Sequence, residues 1–315
     1  MRTMNQSSVF KPTFSPLRIA DTVAVVAPSF GAIEGLLEKA RSFLSQWGLR
    51  IKVHSDLYGD DLLYANTDDK RLQCLIDAFY DEEVKAIWCL RGGAGAKRLI
   101  PFLEKLERPR HEKLFIGLSD ITALHHFFHQ AWGWTPIHGC TLTQLVKENA
   151  NPAIIKEMQD VLFGTQSEVT FRDLIPLNLQ AQELESVTAS LVGGNLAVLQ
   201  YSLGTDWQLQ TSNKFLLLED VNEKPYRIAE YLEHFKQARI LKDLKALLLA
   251  DFTYDHPEQD QSALLQEVFK KFATEVQFPI FRMTGVGHGS ISRPFKIGGT
   301  AILNGQEQKL TCSFS

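Results

Sequence analysis

Residues 115–124 read FIGLSDITAL and are the most informative stretch of the sequence. It predicts a short apolar strand, a tight turn that carries Ser119, and the start of a helix. A serine on such a turn stands clear of the sheet edge, and the helix-start amides beside it can stabilise an oxyanion. Ser119 is therefore a candidate nucleophile. The alternative is an ordinary helix N-cap, because Ile121 stands where the G-x-S-x-G elbow has its second glycine.

Strands alternate with helices on the N-terminal side of this stretch. The sequence predicts strands at 22–27, 49–54 and 84–90, and helices at 33–47 and 68–81. This alternation indicates an α/β fold with a parallel, doubly wound sheet, whose ligands bind beyond the carboxyl ends of the strands. Two of those ends carry the Gly92-Gly93 loop and Ser119.

The alternation stops in the second half of the chain. We expect an N-terminal domain at 1–165, a linker at 166–185 and a smaller, β-rich C-terminal domain at 186–315. Within the C-terminal domain, residues 190–195 are expected to open an apolar helix that runs through Leu203. The sequence also predicts strands at 215–218 and 246–249, a helix at 226–238, and glycine-rich β-structure from Phe281 onward. The Gly-Gly-Asn at 193–195 could cradle an anion or form a tight entry turn.

Composition excludes several functional classes. The chain has 315 residues, 44% hydrophobic and 22% charged, with a formal net charge of -4, which argues against nucleic acid as a partner. No apolar segment reaches the ~20 residues that span a bilayer, and residues 1–18 lack the apolar core of a signal peptide. The four cysteines are scattered. We therefore expect a cytoplasmic protein with no membrane partner.

A serine nucleophile needs a base and a group that orients the base. The candidate base is His288, because Gly287 and Gly289 leave its imidazole uncrowded. Its alternative is a histidine in an ordinary turn. The candidate orienting group is Glu219, a carboxylate that ends an apolar strand and needs a partner if it is buried. Its alternatives are a solvated acid and an ion pair with Arg227.

Other constellations of histidine and cysteine favour no metal and no cofactor. His125 and His129 are spaced as an i, i+4 pair beside His126, but no glutamate lies between them as in H-E-x-x-H. Surface or inter-helix polar contacts are the alternative use of these histidines. Cys140 follows His138 closely enough to form a Cys/His pair, but a lone cysteine is usually a small core residue.

Together these motifs resemble the LD-carboxypeptidase family, the serine peptidases that include the murein-recycling tetrapeptidase and the microcin-immunity peptidase. The matching segments are VVAPS at 25–29, RGGAGA at 91–96, GLSDITA at 117–123, IHG at 137–139, GGNL at 193–196, LGT at 203–205, LEDVNE at 218–223, PYR at 225–227 and GHG at 287–289. They follow one another in the order of the family and cover nearly the whole chain.

The resemblance implies a fold and an activity. It implies a flavodoxin-like N-terminal domain and a β-rich C-terminal domain, with the active site in the groove between them. It implies a triad, for which Ser119, Glu219 and His288 are the matching positions. The family cuts the bond between an L-configured centre and a terminal D-alanine. The implied partner is a cytoplasmic muropeptide tetrapeptide, and family members are commonly homodimers.

The implied chemistry assigns roles to further residues. Backbone N–H groups of Gly93 and Asp120 are the expected oxyanion donors. A carboxypeptidase also holds the terminal carboxylate of its substrate, a task that suits a bidentate arginine. Arg91, Arg98 and Arg227 are the candidates, and Arg227 has Glu219 or Glu223 as an alternative partner.

Two departures from the family pattern bear on the substrate. Ala94 stands where the family usually has tyrosine, and Cys140 stands where a proline often follows His-Gly. Two alternatives therefore remain open. One is an amidase or peptidase that acts on another acyl substrate, such as a peptidyl-nucleotide antibiotic. The other is a non-catalytic protein that binds muropeptides.

Overall fold

The computed structural model describes residues 15–31 and 34–315. Residues 1–14 of the expected N-terminal domain, and Ile33 at the expected start of the first helix, lie outside the described residues. The strands are β1 (Thr22–Val26), β2 (Arg50–Val53), β3 (Val84–Cys89), β4 (Leu114–Gly117), β5 (Ile137–His138), β6 (Glu168–Phe171), β7 (Ile175–Pro176), β8 (Ser186–Asn195), β9 (Lys214–Val221), β10 (Ala246–Thr253), β11 (Ile280–Arg282), β12 (Phe295–Lys296), β13 (Gly299–Asn304) and β14 (Lys309–Ser313).

Helices of very different length separate these strands. They are α1 (Leu36–Gln46), α2 (Asp68–Tyr80), α3 (Ile100–Leu103), α4 (Thr122–Phe127), α5 (Leu142–Leu145), α6 (Pro152–Leu162), α7 (Leu179–Gln182), α8 (Leu196–Gln200), α9 (Pro225–Gln237) and α10 (Ser262–Thr274). Across residues 15–31 and 34–315, none of the helices combines the length and the apolar character that crossing a membrane requires.

The first sheet has the strand order β12-β5-β4-β3-β1-β2. Its five N-terminal strands are parallel and follow the flavodoxin-like order 2-1-3-4-5, while β12 joins antiparallel to β5. All five residues of β1 are buried, as expected for a parallel strand covered on both faces. In α1 the buried residues are Leu36, Ala40 and Leu44, which lie four residues apart on one helical face. The predicted α/β class with a parallel N-terminal sheet is confirmed.

The second sheet has eight strands in the order β6-β14-β13-β8-β9-β10-β11-β7. Strands β8, β9, β10 and β11 are parallel to one another, and the remaining neighbours pair antiparallel. The polar end of β9, which carries Glu219, therefore lies at the same edge of this sheet as the ends of β8 and β10. The expected β-rich C-terminal part is confirmed.

The structure corrects one expectation in this half of the chain. Residues 190–195 do not open a helix: they form the end of the ten-residue strand β8, and α8 has only five residues. They extend because β9 pairs with them on one side and β13 pairs with β8 on the other, which satisfies their backbone groups. The segment expected as a linker, 166–185, contributes β6 and β7, the two edge strands of the second sheet. The proposed domain boundaries remain a prediction.

Candidate active site

Ser119 lies on a strained turn directly after β4. Its φ is 68°, in the left-handed region that costs a residue other than glycine of order 1–3 kcal/mol. Residues Ser119–Ile121 form one 3-10 turn. The N-cap of this turn is Leu118, and no side chain caps it. The alternative of Ser119 as an N-cap is therefore wrong. A strained strand-to-helix turn is the setting in which hydrolases carry a nucleophilic serine.

The side chain of Asp120 fixes this turn to two neighbouring loops. Its Oδ2 accepts a hydrogen bond of 2.7 Å from Ser29 Oγ, after β1, and another of 2.7 Å from the N–H of Ala96, after β3. Burial raises the pKa of Asp120, and the two hydrogen bonds partly oppose that rise. The carboxyl ends of β1, β3 and β4 are thus held together by one buried side chain.

The glycine loop after β3 passes directly beside Ser119. A Cβ atom built on Gly92 would lie 2.7 Å from Ser119 Cβ and 3.1 Å from its Oγ. Only glycine allows the backbone to approach the serine this closely. The N–H groups of Gly93 and Asp120, the predicted oxyanion donors, belong to the residues that follow Gly92 and Ser119. Their role remains a prediction.

Glu219 and His288 form a direct hydrogen bond of 2.7 Å between Oε2 and Nδ1. Because an ionised carboxylate only accepts, Nδ1–H is the donor. Burial acts to raise the pKa of Glu219, but the charge of His288, the nearby imidazole of His138 and the hydrogen bond from His288 outweigh it and lower the pKa to about 2. Burial acts to lower the pKa of His288, and the charge of Glu219 outweighs it, so that this pKa is raised. The pair favours a charged imidazole oriented by a carboxylate.

Gly287 lets the loop of His288 pass close beside Glu219. Gly287 has a φ of 135°, and a Cβ atom there would lie 3.0 Å from Glu219 Oε2. The Glu219 side chain is fully buried, so the alternative of a solvated acid is wrong. The alternative ion pair with Arg227 is also wrong, since Arg227 Nη1 lies 3.7 Å from Glu223 Oε2.

Two links connect the Ser119 turn to this pair. His138 of β5 is in register with Gly117 of β4, and His138 Nε2 lies 3.8 Å from Glu219 Oε1. The Asn195 N–H donates to Thr122 Oγ1, near the start of α4, over 3.2 Å, and Asn195 is in register with Glu219. The carboxyl ends of β4 and β9 are therefore linked by the polar contacts of His138 and Asn195.

The three arginines predicted to bind substrate have different partners. Arg98 contacts both carboxylate oxygens of Asp68, with Nε at 2.9 and 3.1 Å and Nη2 at 2.7 Å. Arg227 pairs with Glu223 on the same helix-start segment. Arg91 Nη1 donates to the carbonyl of Gly31 over 3.1 Å, beside the glycine loop. Arg98 is thus committed to an ion pair, whereas Arg91 lies next to the loop that touches Ser119.

Asp220 occupies the anion position that the sequence suggested at residues 193–195. Its carboxylate accepts hydrogen bonds of 2.9 Å from Asn195 Nδ2, 2.9 Å from the Ala197 N–H and 2.8 Å from the Val221 N–H. Burial, together with the charge of Glu219, raises the pKa of Asp220 to about 7. The amides at the start of α8 therefore hold a carboxylate of the chain itself.

His126 and His129 contact backbone carbonyls, and Cys140 is buried. His126 Nε2 lies 2.9 Å from the Gly193 carbonyl, and His129 Nδ1 lies 3.0 Å from the Trp134 carbonyl. In residues 15–31 and 34–315, no three His, Cys, Asp or Glu side chains are placed to hold a metal ion together. Burial raises the pKa of Cys140 to about 12, so this cysteine is a protonated thiol and not half of a reactive Cys/His pair.

Two cavities flank the loop of His288. One of about 170 Å³ is lined by His288, Cys140 and Ser292, and one of about 450 Å³ is lined by Gly289 and Asp251. The sequence did not indicate the contact between His138 and Glu219. The only available signal was a histidine in a short apolar strand, in the segment Ile137-His138-Gly139.

Comparison with known proteins assigns both halves of the chain to one protein family. A family model described as the LD-carboxypeptidase N-terminal domain matches residues 23–139, and one described as the LD-carboxypeptidase C-terminal domain matches residues 188–303. A putative carboxypeptidase of Rickettsia conorii is 38% identical over 92% of this chain and 90% of the relative. The murein tetrapeptide carboxypeptidase of Pseudomonas aeruginosa is 31% identical over 90% and 93% of the two chains.

The fold also matches a crystal structure. The muramoyltetrapeptide carboxypeptidase of Oxalobacter formigenes superposes with a TM-score of 0.78, over 92% of this chain and 97% of that one. The two sequences are 24% identical, so this likeness concerns the fold.

Proposed function

The chain belongs to the LD-carboxypeptidase family, and from that premise we propose that it is a serine carboxypeptidase. Its substrate is a muropeptide tetrapeptide, from which it releases the terminal D-alanine. One observation carries this proposal: the buried Glu219 carboxylate holds the half-buried imidazole of His288, and polar contacts of His138 and Asn195 link this pair to the strand and helix that flank the strained turn of Ser119. The name of the Pseudomonas aeruginosa relative, a murein tetrapeptide carboxypeptidase, supports the substrate class.

In the proposed mechanism His288 first acts as a general base and then as a general acid. Its Nε2 takes the proton from Ser119 Oγ as that oxygen bonds to the scissile carbonyl carbon. The same proton passes to the amine of D-alanine as the C–N bond breaks, leaving an ester on Ser119. His288 then takes a proton from water as the water oxygen bonds to the ester carbon, and it passes that proton to Ser119 Oγ as the bond between the carbon and Oγ breaks and the tripeptide leaves. Glu219 holds Nδ1–H in place and stabilises the imidazolium in both steps.

The oxyanion of each tetrahedral intermediate would be bound by the N–H groups of Gly93 and Asp120. The close passage of Gly92 beside Ser119 and the anchoring of Asp120 by Ser29 support this assignment. Fixed donors of this kind need no reorganisation when charge develops, and loss of one typically costs ~3 kcal/mol of transition-state stabilisation.

For the terminal carboxylate of the substrate we propose Arg91 or Arg227 in preference to Arg98. The guanidinium of Arg98 already contacts both oxygens of Asp68 through Nε and Nη2, so its charge is paired within the chain. Removing the binding arginine should raise KM far more than it lowers kcat, because the carboxylate is bound equally in ground and transition states. Arg91→Gln and Arg227→Gln, measured in parallel, separate the two candidates.

We further propose that the enzyme acts in the cytoplasm as a homodimer in murein recycling. The four cysteines are free and buried, which suits a reducing compartment. The dimer rests on the family resemblance, and sedimentation of the purified protein tests it: a monomeric mass at micromolar concentration would contradict it.

Incubating the purified protein with a muropeptide tetrapeptide and weighing the products tests the proposed function. We expect a mass loss equal to one alanine residue, with free D-alanine released. A parallel incubation with a peptidyl-nucleotide tests the alternative acyl substrate. Cleavage of the peptidyl-nucleotide alone would move the function to that substrate. Binding of the tetrapeptide without any cleavage would leave a non-catalytic binding protein.

A further inference from the structure

The Glu219 carboxylate has two oxygens, and His288 uses only one of them. Oε2 accepts the hydrogen bond from His288 Nδ1. Within the described part of the chain Oε1 has no hydrogen-bond partner, although the whole side chain is buried. A buried charged oxygen without a donor costs stability and leaves the carboxylate free to rotate away from His288.

The nearest potential donor is His138. Its Nε2 lies 3.8 Å from Glu219 Oε1, and neither ring nitrogen of His138 has a hydrogen-bond partner among residues 15–31 and 34–315. The usual N–H···O distance is about 2.7–3.2 Å, so a movement of less than about 1 Å closes the gap. Hydrogen bonds in active sites are often long in the free enzyme and shorten when substrate binds.

The two strands that neighbour β5 fix the position of His138. It pairs with Gly117 of β4, two residues before Ser119, and with Phe295 of β12. The imidazole stacks on the ring of Phe295 with a centroid distance of 4.7 Å and is fully buried. The ring is thus held between the serine-bearing strand and the oxygen of Glu219 that lacks a donor.

We propose that His138 is a positioning residue whose Nε2–H donates to Glu219 Oε1 and thereby holds Oε2 against His288. This inference rests on the proposed function, because it concerns the same carboxylate. It requires the imidazole tautomer that carries its proton on Nε2. His138 touches neither substrate nor the reacting atoms and acts only through Glu219.

Two length-matched variants test the donor. His138→Gln places an amide N–H near the position of Nε2, whereas His138→Met has similar length and no donor. We expect His138→Gln to retain kcat within about threefold and His138→Met to lose about 10- to 100-fold in kcat with KM unchanged. His138→Phe keeps the ring on Phe295 and should behave as His138→Met does. Thermal unfolding checks each variant, and the phenylalanine variant replaces the methionine one if that fails to fold.

The titration of His288 gives a readout that does not depend on turnover. Without the donor the bare carboxylate binds a proton more tightly, so the Glu219–His288 pair should take up its first proton at higher pH. We expect histidine-selective NMR to show the His288 midpoint raised by roughly half a pH unit or more in His138→Met, and unchanged in His138→Gln. The other acids that act on this pair, Asp220, Asp251 and Asp255, are the same in all variants.

His125→Phe is the matched control. His125 is also fully buried, both of its ring nitrogens lack partners in the described chain, and its ring lies 6.1 Å from that of His138. It should leave kcat and the His288 midpoint unchanged. An unchanged His288 midpoint in His138→Met, or a kcat in His138→Gln as low as in folded His138→Met, would overturn the inference. If wild-type protein releases no D-alanine, the proposed function fails, while the NMR comparison still decides the role of His138.

Discussion

Replacing Glu219 by glutamine removes one negative charge and keeps nearly the same shape. In the structure Glu219 Oε2 accepts from His288 Nδ1 at 2.7 Å, with the carboxylate fully buried. The amide that replaces it presents either a neutral oxygen or an NH₂ group to Nδ1. In the first arrangement the imidazolium loses its counter-charge, and in the second the imidazole is held in the wrong tautomer.

The expected loss follows from this geometry. The centres of the two charges lie about 4 Å apart, where the attraction is about 4 kcal/mol at an effective dielectric constant of ~20. At 1.36 kcal/mol for each factor of ten, this predicts a loss of about 10³-fold in kcat. The wrong tautomer adds to it, and the corresponding aspartate change in serine proteases costs ~10⁴-fold. We therefore expect kcat to fall by about 10³- to 10⁴-fold.

The assay is the rate of D-alanine release from a muropeptide tetrapeptide, with thermal unfolding as the check on folding. Glu223→Gln is the matched control, because Glu223 lies four residues along the chain and pairs with Arg227 at 3.7 Å. We expect that control to change kcat less than tenfold. A loss below tenfold in folded Glu219→Gln, or a larger loss in Glu223→Gln than in Glu219→Gln, would refute the assignment of Glu219 as the orienting carboxylate.

Three further predictions concern the same site. Gly92→Ala should lower kcat by about 100-fold, since its Cβ would lie 2.7 Å from Ser119 Cβ and displace the nucleophile; steady-state kinetics on the folded variant measure this, and unchanged kcat would contradict it. The acid limb of kcat/KM should have its midpoint above the ordinary histidine value of ~6.5, because the pKa of His288 is raised and the base works only when deprotonated; a pH–rate profile with a lower midpoint would oppose it. Activity should survive prolonged chelation and dialysis, and a loss restored by zinc alone would replace the proposed mechanism with a metal-dependent one.

Local sequence signals predicted the first half of the fold well. The all-buried strand β1, the one-sided apolar spacing of α1 and the turn at Ser119 each depend on neighbours within a few residues. Such signals are readable because strand burial, helix periodicity and turn geometry are set by adjacent side chains. The parallel arrangement of these strands then follows from the alternation of strands and helices, whereas the flavodoxin-like order was implied only by the family resemblance.

The features that the sequence did not predict depend on contacts between segments that are far apart in the chain. Residues 190–195 are apolar and rich in glycine, a pattern that fits a helix entry or a buried strand equally well. Their strand state is set by pairing with β9 and by β13, which begins at Gly299. The contact of His138 with Glu219 likewise depends on two separate sheets, and the pairing of Arg227 with Glu223 was one of two open alternatives. No local pattern in the chain carries this information.

Ser119 is the proposed nucleophile, and the turnover of Ser119→Ala is the decisive measurement of that role. The substitution removes only the Oγ atom, so the folded variant should melt close to the wild-type temperature. Loss of a triad nucleophile typically lowers kcat by on the order of 10⁶-fold. We expect D-alanine release by Ser119→Ala to fall to this level. Residual activity above a few per cent of wild type, in a folded protein, would contradict it.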